Sequence, residues 1–177
     1  MSTPVEHRPG KFIGRVMLAA SFALVLVILT YIFDGFLDRQ RNPNAQPQGA
    51  IGSDGIIEVM LQRNRQGHYL SNGEINGHPV EFLLDTGATE VAIPSSVAQR
   101  LKLTAGRAGR VMTANGSATV YDTHIQELKL GLITLRDIDA SIVPNMGGET
   151  ILLGMSALQK IDFSQSNGEF TLRQQQE

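Results

Sequence analysis

An uncharged apolar run near the N-terminus constrains the fold of this chain more than any other feature. The run begins at Val16, ends at Phe33 and reads VMLAASFALVLVILTYIF. As a helix rising about 1.5 Å per residue, it would extend roughly 27 Å, close to the hydrocarbon thickness of a bilayer. The pattern therefore predicts a transmembrane helix over residues 16–33 that anchors the chain in a lipid bilayer.

A cleaved secretory signal is the alternative interpretation of this run. Signal peptides carry a shorter apolar region, about 7–15 residues, followed by a cleavage site of small residues. Here the run is followed by DGFLD, residues 34–38, which lacks that pattern. The sequence therefore favours an uncleaved anchor.

The basic residues around the run predict its orientation. Arg8, Lys11 and Arg15 precede it, whereas Arg39 and Arg41 follow it in the company of two aspartates. Because cytoplasmic flanks carry the excess of Lys and Arg, residues 1–15 are expected to be cytoplasmic. The bulk of the chain is then expected on the other side of the membrane.

A flexible linker is expected over residues 34–55. Residues 40–55, QRNPNAQPQGAIGSDG, are rich in Pro, Gly, Asn and Gln and almost without large apolar side chains. That composition is typical of unpacked chain. The folded domain is therefore predicted over residues 56–177, close to the membrane surface.

Short strands separated by turn residues dominate the remaining sequence and predict an all-β domain. Strands are predicted at residues 58–63, 68–75, 79–84, 111–113, 118–122, 124–130, 135–143 and 169–173, with short helices at 95–103 and 155–160. Asn76-Gly77 and Asn115-Gly116 predict hairpin turns, because both residue types tolerate the positive φ that a two-residue turn needs.

The composition argues against several classes of function. The formal net charge is −2 and Trp is absent, which argues against a basic or aromatic surface for nucleic acid. The chain has no Cys, and so no disulfide, thiol nucleophile or thiolate metal site. Because His68, His78 and His124 lack the spacing of a helical zinc pair, we expect no metal site. We expect no cofactor either.

The segment FLLDTGAT, residues 82–89, carries the strongest chemical signal. An apolar strand runs directly into Asp85, and Gly87 lets the backbone turn tightly without a Cβ. Such a turn can present a carboxylate from the end of a buried strand. A plain surface turn is the alternative, since Asp and Gly are common turn residues.

The segments FLLDTGAT and ILLG, residues 151–154, together resemble the active-site loop and the glycine element of retropepsin-like aspartic proteases. The stretch GHYLSNGEINGHPVEFLLDTGATEVAIP is similar to a bacterial, membrane-anchored branch of that family, and the resemblance covers about residues 58–173. It implies an all-β, single-lobe retropepsin-like barrel with one or two short helices. It also implies a bacterial inner-membrane protein whose protease domain lies in the periplasm.

The resemblance implies roles for individual residues. Asp85 matches the catalytic aspartate, Thr86 the residue whose hydroxyl ties the two active-site loops together, and Gly87 the turn glycine. The second predicted hairpin lies where the family's flap closes over substrate. The expected substrate contacts are Ala88, Thr113, Ala114, Asn115, Gly116 and Ser117.

An enzyme of this kind needs two carboxyls that share a proton, one to accept a proton from the attacking water and one to polarise the scissile carbonyl. Asp85 is the only aspartate that Thr-Gly follows, so a second copy of the chain is expected to supply the second aspartate. The expected activity is hydrolysis of peptide bonds in periplasmic or membrane-proximal proteins by a homodimer. The alternative is a non-catalytic, membrane-anchored module of the same fold that dimerises or binds peptides.

Overall fold

A computed structural model describes residues 10–113 and 116–175, and the chain divides after Asp38 into two compact units. Helix α1, Gly10–Arg41, begins in the first unit and its last three residues fall in the second. Its sequence shows no polar face along most of its length. Over Ile13–Arg41 the helix is long and apolar enough to cross a membrane, and its apolar stretch is not buried within the chain. It continues beyond the apolar run into a basic last turn, where Arg39 and Arg41 suit the negative end of the helix dipole.

Strands make up most of the second unit. They are β1 (Gln48–Ile51), β2 (Ile56–Gln62), β3 (Leu70–Ile75), β4 (His78–Leu84), β5 (Val91–Pro94), β6 (Ala108–Thr113), β7 (Gly116–Leu130), β8 (Ile133–Val143), β9 (Thr150–Leu153), β10 (Asp162–Ser166) and β11 (Glu169–Gln175). Two short helices accompany them, α2 (Ser95–Arg100) and α3 (Met155–Leu158).

The strands form two sheets. The smaller is antiparallel throughout, in the order β1-β2-β11-β10. The larger has the order β3-β4-β9-β5-β8-β7-β6, and within it β4 runs parallel to β9 and β5 parallel to β8. Because β3 also pairs with β7, six of its strands close into a barrel and β6 lies outside the ring.

One apolar core joins the two sheets. Leu61 and Phe170 enter it from the smaller sheet, and Phe82 and Leu84 enter it from β4 in the larger one. Each such side chain stabilises the fold by about 1.5–3 kcal/mol when it is fully buried. Buried and partly buried side chains alternate along β4, so the buried ones hold the strand against the core. The chain then reaches the surface at Asp85.

The predicted β-rich domain with short helices, preceded by an apolar helix, is confirmed. The hairpin at Asn76-Gly77 joins β3 and β4 with φ of 50° and 77°, the double positive φ of a tight two-residue turn. A second turn of the same kind, at Asn167-Gly168 between β10 and β11, was not predicted.

Several predicted boundaries differ from the structure. Residues 118–122 and 124–130 belong to the single strand β7, because Thr123 continues the pairing with Ala140 of β8. The helix predicted at 95–103 ends at Arg100, and Lys102 then adopts a left-handed φ of 55°. Strands β1, β5, β9 and β10 were not predicted as strands.

The prediction that residues 34–55 form an unpacked linker is wrong for two parts of that segment. Helix α1 continues to Arg41, and β1 pairs with β2 in the register Gln48 to Met60. Between these elements Asn42 and Asn44 are buried. Their polar composition is typical of unpacked chain. The two amide side chains are nevertheless buried, because each is hydrogen-bonded to groups of the folded domain.

Candidate active site

Asp85 lies at the point where β4 ends against its parallel neighbour β9. Its backbone N–H donates to the carbonyl oxygen of Leu153 at 3.1 Å, and the N–H of Leu84 donates to the carbonyl oxygen of Tyr69 at 3.0 Å. These bonds extend the pairing on both sides of β4 to the end of the strand. Asp85 is half-buried at this end of the strand.

The loop that follows Asp85 bonds back to it. The N–H of Gly87 donates to Asp85 Oδ1 at 2.9 Å, and the N–H of Ala88 donates to the Asp85 carbonyl oxygen at 3.2 Å. Thr86 and Gly87 are exposed at the tip of this turn. The turn therefore orients one carboxyl oxygen and leaves the carboxyl group accessible.

Helix α3 supports the loop from the other side. The N–H of Met155 donates to the carbonyl oxygen of Ala88 at 2.8 Å, and the N–H of Ser156 donates to that of Thr89 at 2.9 Å. The first N–H groups of a helix have no partner within the helix, and here the loop carbonyls accept from them. The hydroxyl of Ser156 adds a third link, because it accepts from the N–H of Val91 at 3.0 Å.

Gly154 allows this close approach. A Cβ at this position would lie 2.2 Å from the carbonyl oxygen of Glu90 and 2.7 Å from that of Ala88. Both distances fall below van der Waals contact with rigid backbone atoms, so a side chain is excluded. The ILLG segment of the sequence thus places strand β9 and a bare glycine directly behind the Asp85 loop.

A buried hydroxyl that the sequence did not point to holds the end of the loop nearest β5. The hydroxyl of Ser141, in β8, donates to the carboxylate of Glu90, and Ser141 is buried. The sequence carried one signal for this contact, namely that Ser141 is the polar residue of the otherwise apolar segment ASIV, residues 140–143. Its partner lies 51 positions away and could not be identified from the pattern.

The predicted flap is a hairpin whose two strands are described. Strands β6 and β7 pair from Ala108 with Tyr121 to Thr113 with Gly116. Gly116 and Ser117 are exposed, whereas Ala114 and Asn115 lie outside the described residues. The structure brings Asp85, Thr86, Gly87 and Ala88 together in one turn; the hairpin residues belong to the outer edge of the sheet.

Three surface cavities among the described residues, of about 490, 550 and 710 Å³, are lined by residues other than Asp85. Within the described residues no group of three or more His, Asp or Glu side chains is arranged to hold a metal ion. His124 lies 3.3 Å from Asp137 and 3.5 Å from Asp139, and all three side chains are largely exposed.

Comparison with known proteins gives consistent matches. The profile of the family described as "gag-polyprotein putative aspartyl protease" matches residues 71–160. The fold matches the crystal structure of a retropepsin-like aspartic protease from Rickettsia conorii with a TM-score of 0.57 and 25% sequence identity. The match covers 72% of this chain and 95% of that one.

Two uncharacterized bacterial proteins are also similar. One, from the cobV 5′ region of a Sinorhizobium species, is 29% identical over 168 residues, covering 90% of this chain and 72% of that protein. The other, from Rickettsia prowazekii (strain Madrid E), is 28% identical over 156 residues, covering 81% of this chain and 63% of that protein.

Proposed function

Since the chain belongs to the gag-polyprotein aspartyl protease family of retropepsin-like proteins, we propose that it is an aspartic endopeptidase whose catalytic carboxyl is Asp85. The observation that carries the proposal is the position of this side chain. It lies half-exposed at the end of a buried parallel strand pair, and its own loop donates to one carboxyl oxygen. A plain surface turn would not need the support of β9, Gly154 and α3.

The reaction needs a second carboxyl close to the first. One ionised carboxylate accepts a proton from water as the water oxygen attacks the peptide carbonyl carbon. The other carboxyl, protonated, donates its proton to the carbonyl oxygen, and collapse of the intermediate releases the amine, which takes up a proton. A homodimer would supply both groups, because a two-fold axis beside Asp85 would bring two copies of the same turn together.

Two features support the dimer. Asp85 is only half-buried, and Thr86 is exposed next to it. In the dimer, the hydroxyl of each Thr86 would bond to the loop of the other copy. Gly87 would keep the turn compact at the axis.

Substrate would bind between the Asp85 turns and the flap hairpins. Ala88 lies directly after the turn, and its N–H and carbonyl groups are already occupied, so its contribution would be a surface for side chains of the peptide. The hairpin tip, residues 113–117, would close over the peptide. The exposure of Gly116 and Ser117 supports this role.

The location of the enzyme follows from helix α1. We propose that α1 crosses the bacterial inner membrane with residues 1–15 in the cytoplasm and the protease domain in the periplasm. The length and apolarity of the helix and the three basic residues before the apolar run support this topology. Substrates would then be periplasmic proteins or the periplasmic parts of membrane proteins.

Digestion of an unbiased peptide mixture by the full-length chain in detergent micelles, followed by mass spectrometry from mildly acidic to neutral pH, tests the activity. The proposal expects new peptide termini that accumulate with time. Peptides that bind and are recovered intact would favour the alternative, a non-catalytic module of the same fold.

A further inference from the structure

The last residue of α1 and the three residues that follow it hydrogen-bond to the strands of the domain, including β4, which leads into Asp85. We define the 41–44 segment as Arg41, Asn42, Pro43 and Asn44. Asn42 is 6% exposed and Asn44 is 4% exposed. Amide side chains are seldom buried so completely unless they are hydrogen-bonded, and each of these two has several partners.

Asn44 joins the two sheets. Its Nδ2 donates to the carbonyl oxygens of Gln62 at 2.9 Å and Leu70 at 2.6 Å, and its Oδ1 accepts from the N–H of Gln62 at 2.7 Å. Gln62 ends β2 in the smaller sheet and Leu70 begins β3 in the larger one. One side chain thus satisfies backbone groups on both sides of this junction.

Arg41 and Asn42 converge on a single carboxylate, that of Glu81 in β4. Arg41 Nη2 donates to Glu81 Oε1 at 2.7 Å, and Asn42 Nδ2 donates to Glu81 Oε2 at 3.2 Å. The hydroxyl of Thr150, in β9, also donates to Oε1, at 2.8 Å. The Glu81 side chain is only 20% exposed, so these donors replace part of the water that would otherwise surround its two oxygens.

This carboxylate lies at the start of the parallel pair that ends at the catalytic turn. Glu81 opposes Thr150 across β4 and β9, and in the same register Leu84 opposes Leu153. Asp85 follows immediately. A slip of one residue would turn every side chain of a strand to the opposite face. The bond between Glu81 and Thr150 therefore also fixes the face to which the side chains at the end of β4 point.

We propose that Arg41 and Asn42 are positioning residues for Asp85: they hold Glu81 against Thr150 and so keep β4 and β9 in the register that sets the catalytic turn. The proposal rests on the proposed protease function of Asp85. It makes the 41–44 segment part of the active-site support. A protease domain released from its anchor would keep full activity only if the chain were cut before Arg41.

The test uses the full-length chain in detergent micelles with Arg41→Ala, which removes the donor, and Arg41→Lys, which restores a donor to Glu81. Arg100→Ala is the matched control, because the ion pair of Arg100 with Glu149 is exposed and 3.9 Å long. Two quantities are measured for each: kcat and KM for a peptide that the wild type cleaves, and hydrogen–deuterium exchange of the amides at residues 84–88.

A positioning role predicts that Arg41→Ala lowers kcat about tenfold or more with KM within about twofold, since misplacement of a catalytic group acts mainly on the chemical step. Arg41→Lys should recover part of kcat, and Arg100→Ala should match wild type. Exchange at residues 84–88 should rise in Arg41→Ala and stay unchanged in the control, with β7 and β8 protected in both.

Equal kcat and equal exchange for Arg41→Ala and Arg100→Ala would overturn the positioning role. So would a rise in exchange spread evenly over the whole domain, because that pattern means general loss of stability. If the wild type cleaves no peptide, the protease proposal fails, and exchange at residues 84–88 alone then decides whether the 41–44 segment supports the turn.

Discussion

The carbonyl oxygen of Ala88 accepts a 2.8 Å hydrogen bond from the backbone N–H of Met155. This bond joins the turn after Asp85 to the first residue of α3, across 67 positions of the sequence. It forms only because Gly154 lets the two backbone segments approach each other closely. The direction of the Asp85 carboxyl therefore depends on a residue far away in the sequence.

Gly154→Ala should destabilise the domain and reduce activity. The new Cβ would meet two backbone carbonyl oxygens at 2.2 and 2.7 Å, and forcing extra atoms into a packed site costs about 1–3 kcal/mol or more. Thermal unfolding should shift down by several degrees. Gly147→Ala is the control, since a Cβ at Gly147 has no atom within 4 Å; equal unfolding midpoints for the two variants would contradict this account of the packing.

Asn44→Ala should lower stability at the junction of the two sheets. It leaves a buried carbonyl of Leu70 and a part-buried N–H of Gln62 without this partner, at roughly 1–3 kcal/mol for a buried group left unsatisfied. The free energy of unfolding, measured by chemical denaturation, checks the expectation. Asn145→Ala, in an exposed turn, should change it by only a few tenths of a kcal/mol.

Local patterns predicted most of the fold around these positions. Alternating apolar residues and Asn-Gly turns identified β3, β4 and the hairpin between them. The apolar strand before Asp85 and, through its resemblance to the protease family, the ILLG segment pointed to the two paired strands β4 and β9. Each of these signals lies within a few neighbouring residues.

The features that sequence analysis missed depend on distant partners. The bonds from Arg41 and Asn42 to Glu81 span 40 and 39 positions, and the bond between Ser141 and Glu90 spans 51. A polar segment can be an unpacked linker or a hydrogen-bonded junction, and composition does not distinguish them. The distinction depends on which backbone groups of the folded domain lack other partners.

The topology of the membrane anchor can be tested directly. A reporter that is active only in the periplasm, fused after Glu177, should give signal, because the proposed orientation exports everything beyond α1. The protein should also stay in the membrane pellet after carbonate extraction. A shortened, soluble form would instead support cleavage of a signal peptide, and a reporter active only in the cytoplasm would reverse the orientation.

Association of two chains should weaken as pH rises. Two Asp85 carboxyls in contact do not both ionise readily, so the pair retains a proton that separate chains release. There is therefore a pH range in which the carboxyls of separate chains are both ionised but the pair in the dimer keeps one proton. In that range dimerisation takes up a proton. By linkage, the dimer, which binds more protons than two separate chains, becomes less stable relative to them as pH rises.

Sedimentation of the full-length chain in micelles at about pH 5 and about pH 7.5 measures this effect. The dissociation constant of the wild type should increase toward pH 7.5, and Asp85→Asn should show a weaker dependence. Lys129 does not interfere, because its hydrogen bond to Glu127 raises the pKa of its ammonium, which therefore stays charged at both pH values. The same pH dependence in both proteins would assign the effect to other groups, such as the exposed histidines.

Cleavage of peptides by Asp85→Asn is the most direct test of the central claim. The substitution keeps the size of the side chain and an oxygen that can accept from Gly87, but it removes the group that takes up and releases a proton. With unchanged circular dichroism and sedimentation, the rate of appearance of new peptide termini should fall by orders of magnitude relative to wild type. Equal rates for the two proteins would contradict the assignment of Asp85 as the catalytic carboxyl.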